Sequence, residues 1–206
     1  MIFICFVRSN SAKKLLCSFT CLTERKILLR VTLFTNKLLL AALAPADVSL
    51  VQRWAGLSLL GINHSQKILL ITGTAGGGKS TLVSVLLGVI GQTNVGTLRT
   101  DYLDDRFEIG RFFEKTVLYG ADVQEDFLSG RTASRLKSLT GGDMMTVEFK
   151  NSNESPSMKC QFNVVMTSNS HLMVFLEGDA DAWRRRLVIV TFTRPKPSAI
   201  IPHLAE

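Results

Sequence analysis

The amino-acid sequence predicts an α/β three-layer sandwich with a mainly parallel central sheet. Three observations carry this expectation. Lys67-Ile-Leu-Leu-Ile-Thr72 is a short continuous apolar run, the pattern of a strand buried on both faces. It ends directly in the glycine-rich stretch Gly73-Thr-Ala-Gly-Gly-Gly-Lys79-Ser80, which opens a Leu- and Val-rich helix running from Ser80 to Ile90 and closed by Gly91. Three further apolar runs, 116–122, 162–169 and 187–192, alternate with helical or turn segments, and strands alternating with helices imply parallel pairing.

Taken in order, the elements separate into regions of different character. The chain has 206 residues and 46% hydrophobic content, enough for one globular domain with a sizeable core. Residues 1–44 alternate basic and apolar clusters without a sustained helical or strand period. From Pro45 the pattern changes. Ala46-Asp47 can cap a helix whose apolar positions include Val48, Val51, Trp54 and Leu57, with Gly61 to end it. Between the second and third strands, Asp126 to Thr140 reads as a helix stopped by Gly141-Gly142. Met144 to Phe162 reads as a hairpin with a polar tip around 151–156.

Charge and cysteine usage bound the partners. The formal charge is +7, yet residues 1–44 hold seven Lys/Arg against one acid, leaving seventeen against sixteen for residues 45–206. Nearly all the basicity is N-terminal, so net charge does not argue that the rest of the chain grips nucleic acid. Cys5, Cys17, Cys21 and Cys160 form no second pair and have no nearby histidine to complete a zinc site, and the scatter fits a reducing cytoplasm. The apolar start, residues 1–7, lacks a basic n-region and is short for a signal sequence. The run from Ile27 to Ala44 is broken by Arg30, Asn36 and Lys37, so no membrane span is expected. His64, His171 and His203 are too scattered to make a site, and the sequons at Asn63 and Asn153 carry no weight in a cytoplasmic protein.

The glycine-rich stretch has the form of a phosphate-binding loop. A triphosphate needs several donors converging on clustered negative charge. Glycines at 73 and 76–78 let consecutive backbone N–H groups point inward unobstructed. Lys79 would reach the β- and γ-phosphates, and Ser80 would ligate magnesium. Thr81 would add a phosphate contact, while Thr74, Ala75, Gly76, Gly77 and Gly78 complete the loop. The alternative is a glycine-rich surface turn with an exposed lysine. The strand before the loop and the helix after it favour the phosphate reading. The expected ligands are therefore ATP and Mg2+, ATP being preferred to GTP because no guanine-recognition motif is evident.

Hydrolysis requires more than the loop. Asp122 closes an apolar run and is the best-placed acid to hold magnesium, the alternative being an ordinary loop or capping aspartate. A second carboxylate should orient the attacking water. The positions beside Asp122 are Ala121 and Val123, leaving Glu125 or Asp126 for that task. Asn169 ends a strand where an amide can touch a γ-phosphate, or else merely satisfies a turn. Trp183-Arg184-Arg-Arg186 precedes the last strand. Its arginines are either a solvated face or groups offered to a neighbouring subunit's phosphates.

The order of these pieces over roughly residues 46–193 resembles the helicase domain of the phage/plasmid primase-helicase family, related to poxvirus-type primase-helicases within superfamily 3. The resemblance rests on Leu50-Val-Gln-Arg-Trp-Ala-Gly-Leu57, the loop from Gly73 to Thr81, Leu139-Thr-Gly-Gly-Asp143, Val164-Val-Met-Thr-Ser-Asn169 and Ala182-Trp-Arg-Arg-Arg-Leu187. It implies a P-loop NTPase fold of the AAA+-like kind, assembling as a hexameric ring that hydrolyses ATP between subunits and moves along single-stranded DNA. It implies Asp122 as the magnesium acid, Asn169 as the sensor, and Arg184 or Arg185 as the finger toward the next subunit. Lys137, Lys150 and Lys159 would meet DNA phosphates, adding salt dependence rather than sequence preference.

The sequence departs from the family pattern at Ala121, where a first acid is usual. The organisation expected is an atypical basic and apolar segment over 1–44, a helical lead-in over 45–64, the superfamily 3 ATPase domain over 65–193 and a tail over 194–206. Neither primase activity nor an additional C-terminal DNA-binding domain is expected from this chain. The function expected is an ATP-dependent DNA helicase or translocase of phage or plasmid replication, acting in a bacterial or phage-infected cytoplasm. The alternatives are a nucleotide-dependent DNA-binding or assembly module with weak or no hydrolysis and, third, a small-metabolite kinase, for which the chain shows only one late arginine cluster.

Overall fold

A computed structural model describes residues 34–170 and 180–193. Cys5, Cys17, Cys21, His171, His203 and the tail from 194 lie outside the described residues. Seven strands occur among them: β1 (Ile68–Gly73), β2 (Val95–Thr97), β3 (Val117–Gly120), β4 (Met144–Thr146), β5 (Ser157–Lys159), β6 (Asn163–Thr167) and β7 (Leu187–Phe192). Five form one sheet in the order β2-β3-β6-β1-β7, and every neighbouring pair is parallel. β4 and β5 form a separate antiparallel ribbon, with Met144 opposite Lys159.

The period of two along each strand explains why the sheet is covered on both sides. Leu69, Ile71, Val117, Val165 and Val190 share one face. There they pack with Val48, Val51 and Trp54 of helix α1 (Pro45–Ser58) and with Leu82, Val83 and Leu86 of helix α2 (Lys79–Ile90). Ile68, Leu70, Leu118, Val164 and Met166 share the other. They meet Leu136 and Leu139 of helix α3 (Gly130–Gly141), Phe112, and Trp183 of the short helix α4 (Ala180–Arg184). The result is the expected three-layer α/β sandwich.

Local chemistry sets the helix ends. Helix α1 begins at Pro45, whose fixed φ suits the first helical position, with Asp47 in the first turn complementing the helix dipole. The loop after α1 is tied to the core by Asn63, a buried amide donating to the carbonyls of Lys67 and Phe162, both at 2.9 Å. Helix α3 is shorter than the pattern predicted: it starts at Gly130, not Asp126. Phe127 and Leu128 are buried ahead of it, Ser129 is extended, and Gly130 has φ +49°, so the chain packs as a loop before it turns helical.

Two elements carry no clear signal in the sequence. β2 is a three-residue edge strand, too short to show alternation. Residues Phe34–Ala42 are helical despite their irregular pattern, and Leu38, Leu39 and Ala42 are buried against the P-loop side of the sheet. Among the described residues no single helix is long and apolar enough to cross a membrane. Cys160 is buried, and burial, aided by Asp143, pushes its thiol up to about 11, so it acts as a small apolar side chain.

The hairpin is anchored at its base. Cys160 N–H donates to the Asp143 carbonyl and Val147 N–H to the Pro156 carbonyl, both at 2.8 Å. Phe149 stacks edge-on against Phe113, and Glu148 pairs with Arg106.

Leu70 lies in β1, an interior strand of the sheet, with no exposed surface. Leu70→Ala is expected to destabilise the fold by about 2–5 kcal/mol. Urea unfolding should show a lower midpoint with an unchanged slope.

Candidate functional site

In a parallel sheet the carboxyl ends of the strands leave a crevice where the chain changes winding direction, and here β1, β3 and β6 end side by side. A cavity of about 390 Å³ opens at that point, lined from β1 by Ala75, Gly76, Gly78, Lys79, Ser80 and Thr81, from β3 by Tyr119, Ala121 and Asp122, and from β6 by Thr167 and Asn169. The sequence-predicted loop, acid and amide therefore meet in one place.

The loop geometry favours glycine at three positions of positive φ: Gly76 at +78°, and two more where a Cβ would also meet a close neighbour. Gly73 has φ +134°, and a Cβ there would lie 2.4 Å from the Phe192 carbonyl oxygen of neighbouring β7. Gly78 has φ +102° and caps α2, and its Cβ would fall 2.5 Å from Leu38 Cδ1. Around these, Thr74, Ala75 and Gly76 are exposed at the rim, while Gly77 is buried and donates its N–H to Thr74 O at 3.3 Å. Ser80 is exposed and Thr81 half-buried in the first turn of α2. That turn holds no acid, so the positive end of the helix faces the cavity uncompensated.

Lys79 is buried at 6% exposure. Its ammonium donates to Gly73 O (2.6 Å), Thr74 O (2.9 Å) and Asn169 Oδ1 (2.8 Å). Asn169 turns its amide nitrogen the other way, donating to Asp122 Oδ1 at 2.6 Å. The amide orientation follows from charge: its oxygen meets a cation and its nitrogen an anion. Burial pushes the Lys79 ammonium below the usual lysine range, and the Asp122 carboxylate pulls it back up. Among the described residues the lysine has no direct carboxylate partner, so its ammonium can exchange loop carbonyls for phosphate oxygens.

Among the described residues Asp122 is the only carboxylate lining this cavity; Glu125 and Asp126 are exposed on the following loop and do not line it. The three arginines before β7 divide by orientation. Arg184 and Arg185 are exposed, Arg184 making only a surface pair with Asp181 at 3.5 Å. Arg186 is buried, donating to Ala182 O at 3.1 Å and Gln66 Oε1 at 3.4 Å, and its carbonyl accepts Ile68 N–H at 2.8 Å. It lies two residues past the end of α4, in a turn where its N–H donates to the carbonyl of the buried Trp183 at 2.9 Å. Lys137 is half-buried on α3, Lys150 is exposed past β4, and Lys159 is exposed on β5.

Thr167, Ser168 and Tyr119 carry no assigned role in the sequence reading, although Thr167 and Ser168 fall within the quoted Val164–Asn169 motif. Only their neighbours across the sheet show what they touch.

Fold and site together define an α/β protein with a mainly parallel five-stranded sheet and a glycine-rich loop of the phosphate-binding form at its carboxyl edge. Residues 71–186 match a family of unknown function, DUF5906, and this protein belongs to that family. Its fold is similar to that of the NrS-1 C terminal region, at 18% identity and a TM-score of 0.60, covering 84% of this chain and 41% of that one. A second structure of that region, its A form, matches at 15% identity and 0.54, covering 79% and 41%. JCV Helicase matches at 19% identity and 0.49, covering 76% and 42%. The chain thus spans less than half the length of each solved structure, and at these identities the likeness is one of fold. No curated protein matches the sequence.

Arg186→Ala should remove buried hydrogen bonds and destabilise by about 1–3 kcal/mol, whereas Arg184→Ala and Arg185→Ala should leave the thermal midpoint unchanged. Thermal denaturation of the three variants side by side checks the division.

Proposed function

We propose that this chain is the ATPase part of a DNA helicase or translocase, binding ATP with Mg2+ in the cavity and hydrolysing it at the contacts of a ring, expected to be a hexamer. The observation that carries the reading is the continuous link from Lys79 through Asn169 to Asp122 across the ends of three parallel strands. It joins a cation for phosphate, an amide able to sense it and an acid for the metal in one cavity. The resemblance in motif order supports the helicase class, and the likeness in fold to the NrS-1 C terminal region supports the α/β architecture that this reading requires.

Each residue then has a task. The backbone N–H groups of the loop and the start of α2 bind the β- and γ-phosphates. Lys79 exchanges its loop carbonyls for phosphate oxygens, a stronger charge-assisted contact. Ser80 and Asp122 hold the metal, which, when bound, neutralises charge on the phosphate oxygens during transfer of the γ-phosphoryl group to water. Asn169, released from Lys79 as that contact exchanges, orients toward the γ-phosphate. Arg184 and Arg185, both exposed, are free to serve an adjacent subunit's nucleotide. Lys150 and Lys159 on the hairpin unit, with Lys137 on α3, offer contacts to single-stranded DNA phosphates. The reading puts the work of the protein in the cytoplasm of a bacterial or phage-infected cell.

A second reading has its own support. With Ala121 beside Asp122, and Asp122 the sole carboxylate lining the cavity among the described residues, the chain can also be a nucleotide-dependent DNA-binding or assembly module that turns over slowly.

The two readings separate on ATP hydrolysis measured with and without single-stranded DNA, alongside the particle mass. The helicase reading expects DNA-stimulated turnover by a ring, and Lys79→Ala should cut turnover by about 100-fold or more with folding retained. Absent hydrolysis in a confirmed ring, or turnover unaffected by Lys79→Ala, would sink it.

A further inference from the structure

Asp122 does not hold its place unaided. Its φ of +47° lies in the left-handed region, which an L-residue enters only when its surroundings over-determine it. The three consecutive residues at the end of β6 supply that determination. Asp122 N–H donates to Thr167 Oγ1 at 3.1 Å, and Val123 N–H donates to the Thr167 carbonyl at 2.8 Å. Ser168 Oγ donates to the Val123 carbonyl at 3.0 Å, and Asn169 Nδ2 donates to the Asp122 carboxylate at 2.6 Å. The backbone on both sides of Asp122 and its side chain are all held from one neighbouring strand end.

We infer that Thr167 is a positioning residue, whose hydroxyl holds Asp122 in its left-handed conformation and so aims the carboxylate at the metal that accompanies the nucleotide. The inference rests on the role of Asp122 proposed above. The Thr167 side chain lines the cavity, where its hydroxyl accepts from Asp122 N–H at 3.1 Å and lies 3.5 Å from the Tyr119 hydroxyl, the longer and weaker contact. Remove the hydroxyl and Asp122 N–H loses its acceptor. The loop can then relax to an ordinary φ, which swings the carboxylate away from Asn169. Groups that orient a metal ligand in this way typically change metal affinity by about 10- to 100-fold when lost.

Thr167→Val keeps the shape and β-branching of the strand residue and deletes only the hydroxyl. Binding of a fluorescent ATP analogue to the full chain, measured across a Mg2+ titration and in EDTA, reads the effect without requiring turnover. Thr167→Val is expected to bind metal-free nucleotide like the unaltered protein but to need about tenfold more Mg2+. Thr167→Ser should restore the requirement, and in an Asp122→Asn background Thr167→Val should add nothing. An unchanged Mg2+ requirement in Thr167→Val, or a full further loss in the Asp122→Asn background, overturns the inference while leaving the proposed function standing. If the unaltered protein binds nucleotide identically with and without Mg2+, the metal role of Asp122 falls and the inference falls with it. Should Thr167→Val fail to fold, Ser168→Ala, which frees the next carbonyl, must raise the Mg2+ requirement in the same direction, and its failure to do so is equally decisive.

Discussion

A buried ammonium group is the constraint around which this molecule is arranged. Lys79 sits at 6% exposure at the start of a helix whose own positive end points the same way. A cation so placed must be solvated by the protein, and it is, by two carbonyls of its own loop and the oxygen of Asn169. Those carbonyls face inward because the chain reverses through glycines. Asn169 is within reach because β6 lies next to β1 in the sheet. The glycine loop, the strand order and the motif at the end of β6 are thus three parts of one solution to a charge-burial problem. The same solution leaves a buried ammonium and the N-terminal end of a helix facing one cavity.

The sheet supplies the rigidity this needs. Parallel strands buried on both faces hold their carboxyl ends in fixed register, with Ile71 level with Thr167 on one side and Val190 on the other. Gly73 can approach the Phe192 backbone closely only because it lacks a side chain. Arg186, drawn inward by Gln66 and the Ala182 carbonyl, ties the entry to β7 to the start of β1 and leaves its two neighbours outside. A single basic run therefore serves two physical purposes, one anchoring the sheet and one presenting charge to solvent.

Much of this was legible in the sequence, for identifiable reasons. Continuous apolar runs mark strands buried on both faces, and all four long strands fell where such runs occur. The glycine loop was readable because its chemistry needs particular residue types at fixed spacing. The start of α3 was misplaced because Phe127 and Leu128 look helical in pattern but are buried as a loop. β2 has too few residues to display a period, and the helical turn from Phe34 takes its order from packing on the P-loop face.

The sequence by itself determined the layer architecture, the phosphate-type loop and the identity of Asp122 and Asn169 as polar residues just beyond two strands. Those features follow from local periodicity and from side-chain chemistry at short range. Only the tertiary structure decided that Asn169 bridges Lys79 and Asp122, that Glu125 and Asp126 stay off the cavity, that Arg186 turns inward, and that Thr167 holds the backbone of Asp122 in a left-handed turn. Each of these joins residues tens of positions apart in the chain. Their geometry is set by which strands become neighbours, and no local pattern encodes that.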